Sequence, residues 1–179
     1  IQGYFDCPVD NLFAVPVMLD ALRKLGEEKI VIVSPDAGGV ERARAYAKRL
    51  DAPLAIVDKR RDKPNQAQAM HVIGDVQDRV AIVVDDMIDT AGTLCAGAEV
   101  LMNGAKKIVA CATHPVLSGP AIDRINATEA LSQVFVTDTI PLGDKLERCP
   151  KLEVISVAAI LGKTIHNIHT GSSVSVLFV

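Results

Sequence analysis

Short β-branched segments alternate with longer helix-like stretches along this chain, and that alternation restricts its fold more than any other feature. Strands are predicted over residues 29–33, 54–57, 80–84, 107–111, 133–136 and 152–156. Helices are predicted near residues 15–25, 40–50, 92–103, 120–126 and 157–168. Because this order is typical of α/β proteins, we predict a parallel β-sheet flanked by helices. No linker-like stretch divides the 179 residues, so we expect a single domain over residues 1–179.

Composition restricts the class of partner. Hydrophobic residues make up 49% and charged residues 23% of the chain, which suits a core-forming domain. A net charge of -3, with 3% aromatic residues and no Trp, argues against a nucleic-acid surface. No apolar run approaches the roughly 18 residues of a membrane span. The four cysteines show no metal-ligand spacing, so we expect buried, reduced thiols in a cytoplasmic protein.

The most informative motif is the run from Val80 to Leu94, VAIVVDDMIDTAGTL. The strand is expected to stop at Val84, which leaves Asp85 and Asp86 at its carboxyl end, the edge where open parallel sheets bind ligands. Residues 90–93 then open a helix, so their backbone N–H groups have no intrahelical acceptor and can converge on an anion. The motif therefore indicates a phosphate-binding turn beside two carboxylates.

Carboxylates beside a phosphate site would weaken phosphate binding, because two unit charges about 4 Å apart repel by roughly 1 to 4 kcal/mol. A ribose phosphate accounts for their presence, since the vicinal hydroxyls of the ribose can donate to the carboxylates while its 5-phosphate reaches the helix N-terminus. The simpler alternative is an Asx-turn followed by a Thr cap, which accounts for one Asp and one Thr only. We therefore predict a pocket for a phosphorylated sugar.

A second turn of the same kind lies at residues 34–39, SPDAGG, between a predicted strand and a helix that begins near Val40. Its backbone can approach a diphosphate, and Asp36 can hold the magnesium ion that accompanies one. A plain strand-to-helix turn is the alternative, since Gly-Gly turns are common at such junctions.

A polar connection follows the strand predicted over residues 54–57. Residues 58–70 contain three consecutive cations, Lys59, Arg60 and Arg61. Long irregular connections in compact domains are uncommon and are usually functional or disordered. Cations delivered by such a loop can stabilise the charge that develops during phosphoryl transfer. A solvated hairpin tip is the alternative.

These residues resemble the phosphoribosyl pyrophosphate motif shared by type I phosphoribosyltransferases and ribose-phosphate pyrophosphokinases. Further segments resemble a class I ribose-phosphate pyrophosphokinase, in the order of that family and close to its spacing. They are IQGYFDCPVDNL (1–12), SPDAGGVERA (34–43), DKRR (58–61), IGDV (73–76), SGPA (118–121) and GSSVSVLF (171–178). The resemblance covers essentially the whole chain and implies a type I phosphoribosyltransferase-like fold. Since family members have two homologous domains, it also implies that the chain is the C-terminal domain with a short lead-in.

The resemblance further implies a Mg²⁺-dependent transfer of the β,γ-diphosphoryl group of ATP to the C1 hydroxyl of ribose 5-phosphate. The products would be phosphoribosyl pyrophosphate, for nucleotide biosynthesis, and AMP. Lys59 and Arg61 match a catalytic loop, and Asp36 matches a metal ligand. The ribose 5-phosphate site would comprise Arg61 together with Asp85, Asp86, Asp89, Thr90, Ala91, Gly92 and Thr93. A homohexamer, activation by inorganic phosphate and a cytoplasmic location are also implied.

Two interpretations remain open for each of two further pairs of residues. Asp6 and Asp10 fall in a family signature linked to divalent cations, yet Asp10 can equally cap the next helix. Ser173 and Ser175 match a regulatory phosphate site of the family, with a plain edge strand as the alternative. For function, the alternatives are a phosphoribosyltransferase and a catalytically inactive, synthetase-associated regulatory subunit.

Overall fold

A computed structural model describes residues 2–27, 29–60 and 69–178 of the chain. Its strands are β1 (Ile30–Ser34), β2 (Leu54–Arg60), β3 (Ala69–Ile73), β4 (Val80–Ile88), β5 (Lys107–Pro115), β6 (Leu131–Thr137) and β7 (Leu152–Ile155). Its α-helices are α1 (Val15–Arg23), α2 (Val40–Leu50), α3 (Gly92–Leu101), α4 (Ala121–Ala127), α5 (Lys145–Arg148) and α6 (Ala158–Thr170). Short 3₁₀ helices lie at Gln2–Tyr4 and Ser175–Leu177.

The strands form one sheet in the order β3-β2-β1-β4-β5-β6-β7. All neighbouring pairs are parallel except β2 and β3, which are antiparallel. The chain moves outward from β1 to β3 and then returns to place β4 on the other side of β1. The carboxyl ends of β1 and β4 therefore meet at the point where the strand order reverses, which is where open α/β sheets bind ligands.

Helices cover both faces of the sheet. Successive residues of a strand point to opposite faces, so Ile32 packs with α1 and α2, whereas Val31 and Val33 belong to the core that includes α3 and α4. All three of these side chains are fully buried. Burial of each stabilises the fold by roughly 1.5 to 3 kcal/mol. Because neither face of the central strands meets solvent, these strands are continuous apolar runs in the sequence.

The predicted α/β class is confirmed, with two corrections to the sheet. First, β4 does not stop at Val84 but continues to Ile88, because β5 pairs with it as far as Pro115. Second, the sheet is not entirely parallel. The connection predicted over residues 58–70 is shortened by an antiparallel pairing, in which β2 continues to Arg60 and β3 begins at Ala69. Residues 61–68 lie outside the described part of the chain.

The structure also excludes two of the alternatives that the sequence left open, and it corrects one prediction. The residue that caps α1 is Ala14, so Asp10 does not cap this helix. Ser175 opens a 3₁₀ helix, so the C-terminal segment is not an edge strand. Cys7 is exposed, whereas the other three cysteines are buried as expected. No helix in the described ranges combines the length and apolar character needed to cross a bilayer.

Candidate functional site

The carboxylate pair lies where β4 extends past its neighbour β1. The pairing of β4 with β1 ends at Val83, whereas its pairing with β5 continues to Ile88. Asp85 and Asp86 therefore follow the last residue of β4 that is paired with β1. The backbone N–H of Asp86 donates to Oδ1 of Asp85 (2.8 Å), and that of Met87 donates to Oδ1 of Asp86 (2.9 Å). Each carboxylate is thus oriented by the backbone that follows it.

The turn after β4 opens α3 as the sequence predicts. Ala91 is the residue that caps α3, with φ 58° and ψ 7°, and no side chain caps the helix. The alternative of a Thr cap is therefore wrong. A left-handed conformation costs a residue with a Cβ roughly 1 to 2 kcal/mol, and such strain is concentrated at functional sites. The N–H groups of the first helical turn have no intrahelical acceptor, so this turn can receive an anion.

A cavity of about 290 Å³ joins Asp85 of the carboxylate pair to this turn. This volume is near the lower end for small-molecule sites, which suits a single sugar phosphate. Six of the predicted sugar-phosphate residues line it: Asp85, Asp89, Thr90, Ala91, Gly92 and Thr93. Asp86 does not line this cavity but a neighbouring one of about 760 Å³, which lies against α2 and residues 11–15.

An arginine that the sequence analysis missed binds both carboxylates. Arg42 of α2 places Nη1 3.0 Å from Oδ1 of Asp85 and Nη2 3.0 Å from Oδ2 of Asp86. The side chains of Arg42 and Asp85 are 32% and 35% exposed, so this pair is partly withdrawn from solvent. One signal was available in the sequence. A cation in the first turn of a helix opposes the helix dipole and needs a compensating partner.

The two carboxyl groups differ in their affinity for protons. Burial, with a smaller contribution from the neighbouring Asp86, raises the pKa of Asp85 to about 6, although Arg42 acts in the opposite direction. The pKa of Asp86 is affected by burial as well, yet the hydrogen bond with Asp85 and the charge of Arg42 hold it below its usual range. At pH 7 Asp85 is therefore mainly ionised and Asp86 is ionised, and an ionised carboxylate accepts hydrogen bonds through both of its oxygens.

Cys111 of β5 also lines the smaller cavity. Burial raises the pKa of its thiol to about 12, so the sulfur carries no charge at neutral pH. It is therefore not activated as a nucleophile, since the thiolate is the reactive form. Its role at the site is to supply apolar surface.

The loop after β5 fixes the start of the phosphate turn. The backbone N–H of Leu117 donates to the carbonyl of Ile88 (2.9 Å), and that of Ser118 donates to the carbonyl of Asp89 (3.1 Å). The Ser118 hydroxyl also donates to the Asp89 carboxylate. Asp89 is therefore oriented by the loop that contains the SGPA segment.

A second missed cation lies beside the same turn. Nη1 of Arg124, on α4, donates to the carbonyl of Thr90 (2.9 Å). The same atom would lie 3.4 Å from a Cβ added at Gly92, so the guanidinium is adjacent to the first residue of α3. Arg124 therefore places a positive charge at the anion-binding end of the cavity. Sequence spacing gives no sign of this contact, because α4 follows the turn by some thirty residues.

The turn at residues 34–39 is closed by its own side chains. The Ser34 hydroxyl donates to the carbonyl of Asp36 (2.7 Å), and the backbone N–H of Gly39 donates to Oδ1 of Asp36 (2.9 Å). A Cβ at Gly39 would lie 2.8 Å from Oγ of Ser34, so this position excludes a side chain. The carboxylate of Asp36 thus faces solvent from a rigid turn beside Arg42.

The described residues offer one carboxylate, rather than a cluster of ligands, to a magnesium ion. Within the described ranges, no group of three or more His, Cys, Asp or Glu side chains is arranged to hold a metal ion. Mg²⁺ is, however, usually held by one or two carboxylates together with water and substrate phosphates. Asp36, exposed beside the cavity, fits this mode of binding but not an all-protein cage.

Four predicted residues of the described ranges lie outside both cavities. Asp6 and Asp10 are exposed in the segment before α1, and Ser173 and Ser175 are exposed after α6. Lys59 is placed in β2 by its backbone. Arg61 lies outside the described residues, so its predicted roles remain predictions.

Fold and site together define a class. A mostly parallel sheet with a carboxylate pair and an anion-binding turn at the reversal of strand order is the architecture of type I phosphoribosyltransferase-like proteins. The adenine phosphoribosyltransferase of Saccharomyces cerevisiae has this fold, with a TM-score of 0.54 at 18% identity over 68% of this chain and 76% of that chain.

Sequence comparison narrows the class to a family. The profile described as "Phosphoribosyl synthetase-associated domain" matches residues 59–179. A ribose-phosphate pyrophosphokinase of Xanthomonas campestris pv. campestris is 56% identical over 100% of this chain and 57% of its own length. The structure of the phosphoribosylpyrophosphate synthetase of Mycobacterium smegmatis has a TM-score of 0.84, at 38% identity, over 96% of this chain and 55% of that chain. The chain belongs to the ribose-phosphate pyrophosphokinase family, and it spans little more than half the length of these relatives.

Proposed function

We propose that this chain is the sugar-phosphate-binding part of a ribose-phosphate diphosphokinase. The observation that carries the proposal is the single cavity lined by both Asp85 and the turn from Asp89 to Thr93. A carboxylate that accepts hydroxyls and a turn that accepts a phosphate are the two features that ribose 5-phosphate requires. The family relationship supplies the second substrate, ATP.

In this proposal the residues of the chain bind and orient the sugar. Asp85 and Asp86 accept hydrogen bonds from ribose hydroxyls, and the backbone and hydroxyl groups of residues 90–93 bind the 5-phosphate. Holding the sugar at both ends leaves its C1 hydroxyl in a fixed position, which converts encounter with ATP into an oriented reaction. The Arg124 guanidinium partly offsets the charge that Asp89 brings to the turn.

The proposed reaction is an in-line displacement at the β-phosphorus of ATP. The C1 hydroxyl loses its proton to solvent as its oxygen forms a bond to this phosphorus, and the bond between the phosphorus and the oxygen of the α-phosphate breaks to release AMP. Magnesium, held by Asp36 and the substrate phosphates, would neutralise part of the phosphate charge. Lys59 and Arg61 are proposed, from their match to the family loop, to stabilise charge on the transferring group. No general base is required of the residues in the cavity, since positioning and electrostatics account for most catalysis of this type.

The proposal extends to the rest of the molecule. Because the chain spans 57% of the Xanthomonas relative, we propose that residues 1–179 form the C-terminal domain, with a short lead-in, of a two-domain protein. We further propose a homohexamer that is activated by inorganic phosphate, with Ser173 and Ser175 contributing to the regulatory site. Asp6 and Asp10 are proposed as weaker candidates for contacts with divalent cations. The family relationship supports these assignments.

The decisive measurement is AMP formation by the full-length protein supplied with ATP, Mg²⁺ and ribose 5-phosphate, with and without inorganic phosphate. We expect AMP and phosphoribosyl pyrophosphate in equal amounts, and only when the sugar phosphate is present. Asp85→Asn should abolish this activity. Asp51→Asn, in the loop before the amino end of β2, should not, because Asn tolerates the left-handed conformation found there. A folded protein that binds ribose 5-phosphate yet forms no product would favour a phosphoribosyltransferase or a regulatory subunit.

A further inference from the structure

We propose that Arg42 is a positioning residue for the ribose-binding carboxylates, a role that rests on the proposed function. Its guanidinium holds Asp85 and Asp86 in one arrangement and favours the ionised form of each. Ribose hydroxyls then meet two oriented acceptors rather than two mobile groups that repel each other.

The geometry of the contact supports this role. Two different nitrogens of the guanidinium each lie 3.0 Å from an oxygen of a different carboxylate. Five other ion pairs between described side chains have separations of 3.3 to 3.9 Å. The contacts of Arg42 with the two carboxylates are thus shorter than these five ion pairs. Because the guanidinium is planar with fixed donors, it fixes direction as well as charge.

Two donors converge on one oxygen of Asp85. The backbone N–H of Asp86 and Nη1 of Arg42 both donate to Oδ1 of Asp85. These two donors fix the direction of the Asp85 carboxylate within the cavity that it lines. Asp86 is held differently, with Oδ1 bonded to the backbone of Met87 and Oδ2 paired with Arg42.

Strand geometry explains why a bridging cation is needed. Successive residues of a strand point to opposite sides, and Asp85 and Asp86 accordingly line two different cavities. Arg42 reaches both carboxylates from α2, which packs against β1 and β4. Its guanidinium also lies close to Gly39, because a Cβ at that position would be 3.3 Å from Nη1. Arg42 therefore links the turn at residues 34–39 to the sugar-binding acids.

The ionisation of Asp85 and Asp86 depends on the titratable groups around them. The titratable groups that line the two cavities with the pair are Arg42, Glu41 and Tyr46 from α2, Asp89 from the turn after β4, and Cys111 and His114 from β5. Cys111 is neutral for the reason given above. Arg42 lowers the pKa of both Asp85 and Asp86, so its removal would let a carboxyl of the pair retain a proton at higher pH.

The test compares Arg42→Met and Arg42→Lys with the wild type in the full-length protein. Arg44→Met is the matched control, because Arg44 is an exposed arginine of the same helix. Calorimetry gives the dissociation constant of ribose 5-phosphate from pH 5 to 9, and steady-state assays give kcat and KM. The phosphate of free ribose 5-phosphate titrates identically in every experiment. A difference in the pH midpoint of binding between a variant and the wild type therefore arises from the protein.

For Arg42→Met we expect the dissociation constant and the KM for ribose 5-phosphate to rise about 10- to 100-fold, with a smaller change in kcat. The pH midpoint of binding should move upward by about one unit. Arg42→Lys keeps the charge but cannot bond both carboxylates in the same way, so it should hold the midpoint near that of the wild type while still weakening binding. Arg44→Met should match the wild type.

Several outcomes would overturn the inference. A folded Arg42→Met with wild-type affinity and midpoint would show that the acids need no partner. A loss of kcat alone would indicate instead that Arg42 stabilises the transition state. If Arg42→Met does not fold, wild-type affinity in Arg42→Lys would overturn it equally. Failure of the wild type itself to bind ribose 5-phosphate would instead refute the proposed function.

Discussion

Gly39 is the position where one added methyl group gives the sharpest test of the site geometry. Its φ is -84°, so the backbone does not require glycine there. The surrounding atoms do require glycine, because a Cβ at this position would lie 2.8 Å from Oγ of Ser34 and 3.3 Å from Nη1 of Arg42. Ser34 is fully buried, and its hydroxyl donates to the carbonyl of Asp36 at 2.7 Å. The hydroxyl cannot move aside without losing that bond.

The expected effect of Gly39→Ala follows from three contributions. Overpacking in a rigid setting costs about 1 to 3 kcal/mol. Loss of the Ser34 hydrogen bond adds about 1 kcal/mol, and the reduced flexibility of the unfolded chain offsets about 0.4 to 1 kcal/mol. The net loss in the free energy of unfolding is therefore about 1 to 3.6 kcal/mol. For a chain of this size, such a loss lowers Tm by roughly 2 to 14 °C.

Two matched variants isolate the contact. Gly38→Ala places its Cβ 3.4 Å from Oδ1 of Asp36, an ordinary contact, so little change is expected. The double variant Ser34→Ala/Gly39→Ala removes the obstructing oxygen and should be more stable than the sum of the two single changes predicts. Urea denaturation followed by circular dichroism measures the wild type, the three single variants (Ser34→Ala, Gly38→Ala and Gly39→Ala) and the double variant. If Gly39→Ala equals Gly38→Ala, or if the double variant shows no recovery, the steric explanation is refuted.

Three further outcomes are expected. Ala91→Gly should raise the free energy of unfolding by up to about 1 kcal/mol in urea denaturation, because it relieves a left-handed Ala, and a loss of stability would contradict this. Arg124→Gln should raise the KM for ribose 5-phosphate about 10-fold without changing that for ATP, because it removes the cation beside the phosphate turn; equal effects on both would be inconsistent with this assignment. Asp85→Asn should stabilise the fold at pH 8 but not at pH 4. Burial raises the pKa of Asp85 to about 6, so its ionised form is disfavoured in the folded state above that pH, and the penalty disappears as pH falls through the unfolded value of 3.8. Thermal denaturation at both pH values checks this sign.

Local sequence determined much of this protein. Continuous apolar runs specified strands buried on both faces, and the predicted start and end of α2, at Val40 and Leu50, agree with the structure. The Asp and Gly residues that follow β1 and β4 indicated ligand-binding turns, because their chemistry depends on a few consecutive residues. Six of the predicted sugar-phosphate residues line one cavity for this reason.

Tertiary structure decided what depends on contacts between distant segments. The extension of β4 to Ile88 and the antiparallel pairing of β3 arise from neighbouring strands, whose hydrogen bonds extend strand structure beyond the apolar residues. Arg42 meets Asp85 across 43 positions, and Arg124 meets Thr90 across 34. Periodicity and motif spacing contain no information about such pairs, because the order of strands in the sheet brings them together. The sequence alone therefore identified the acids and the turn, and only the fold identified the cations that neutralise them.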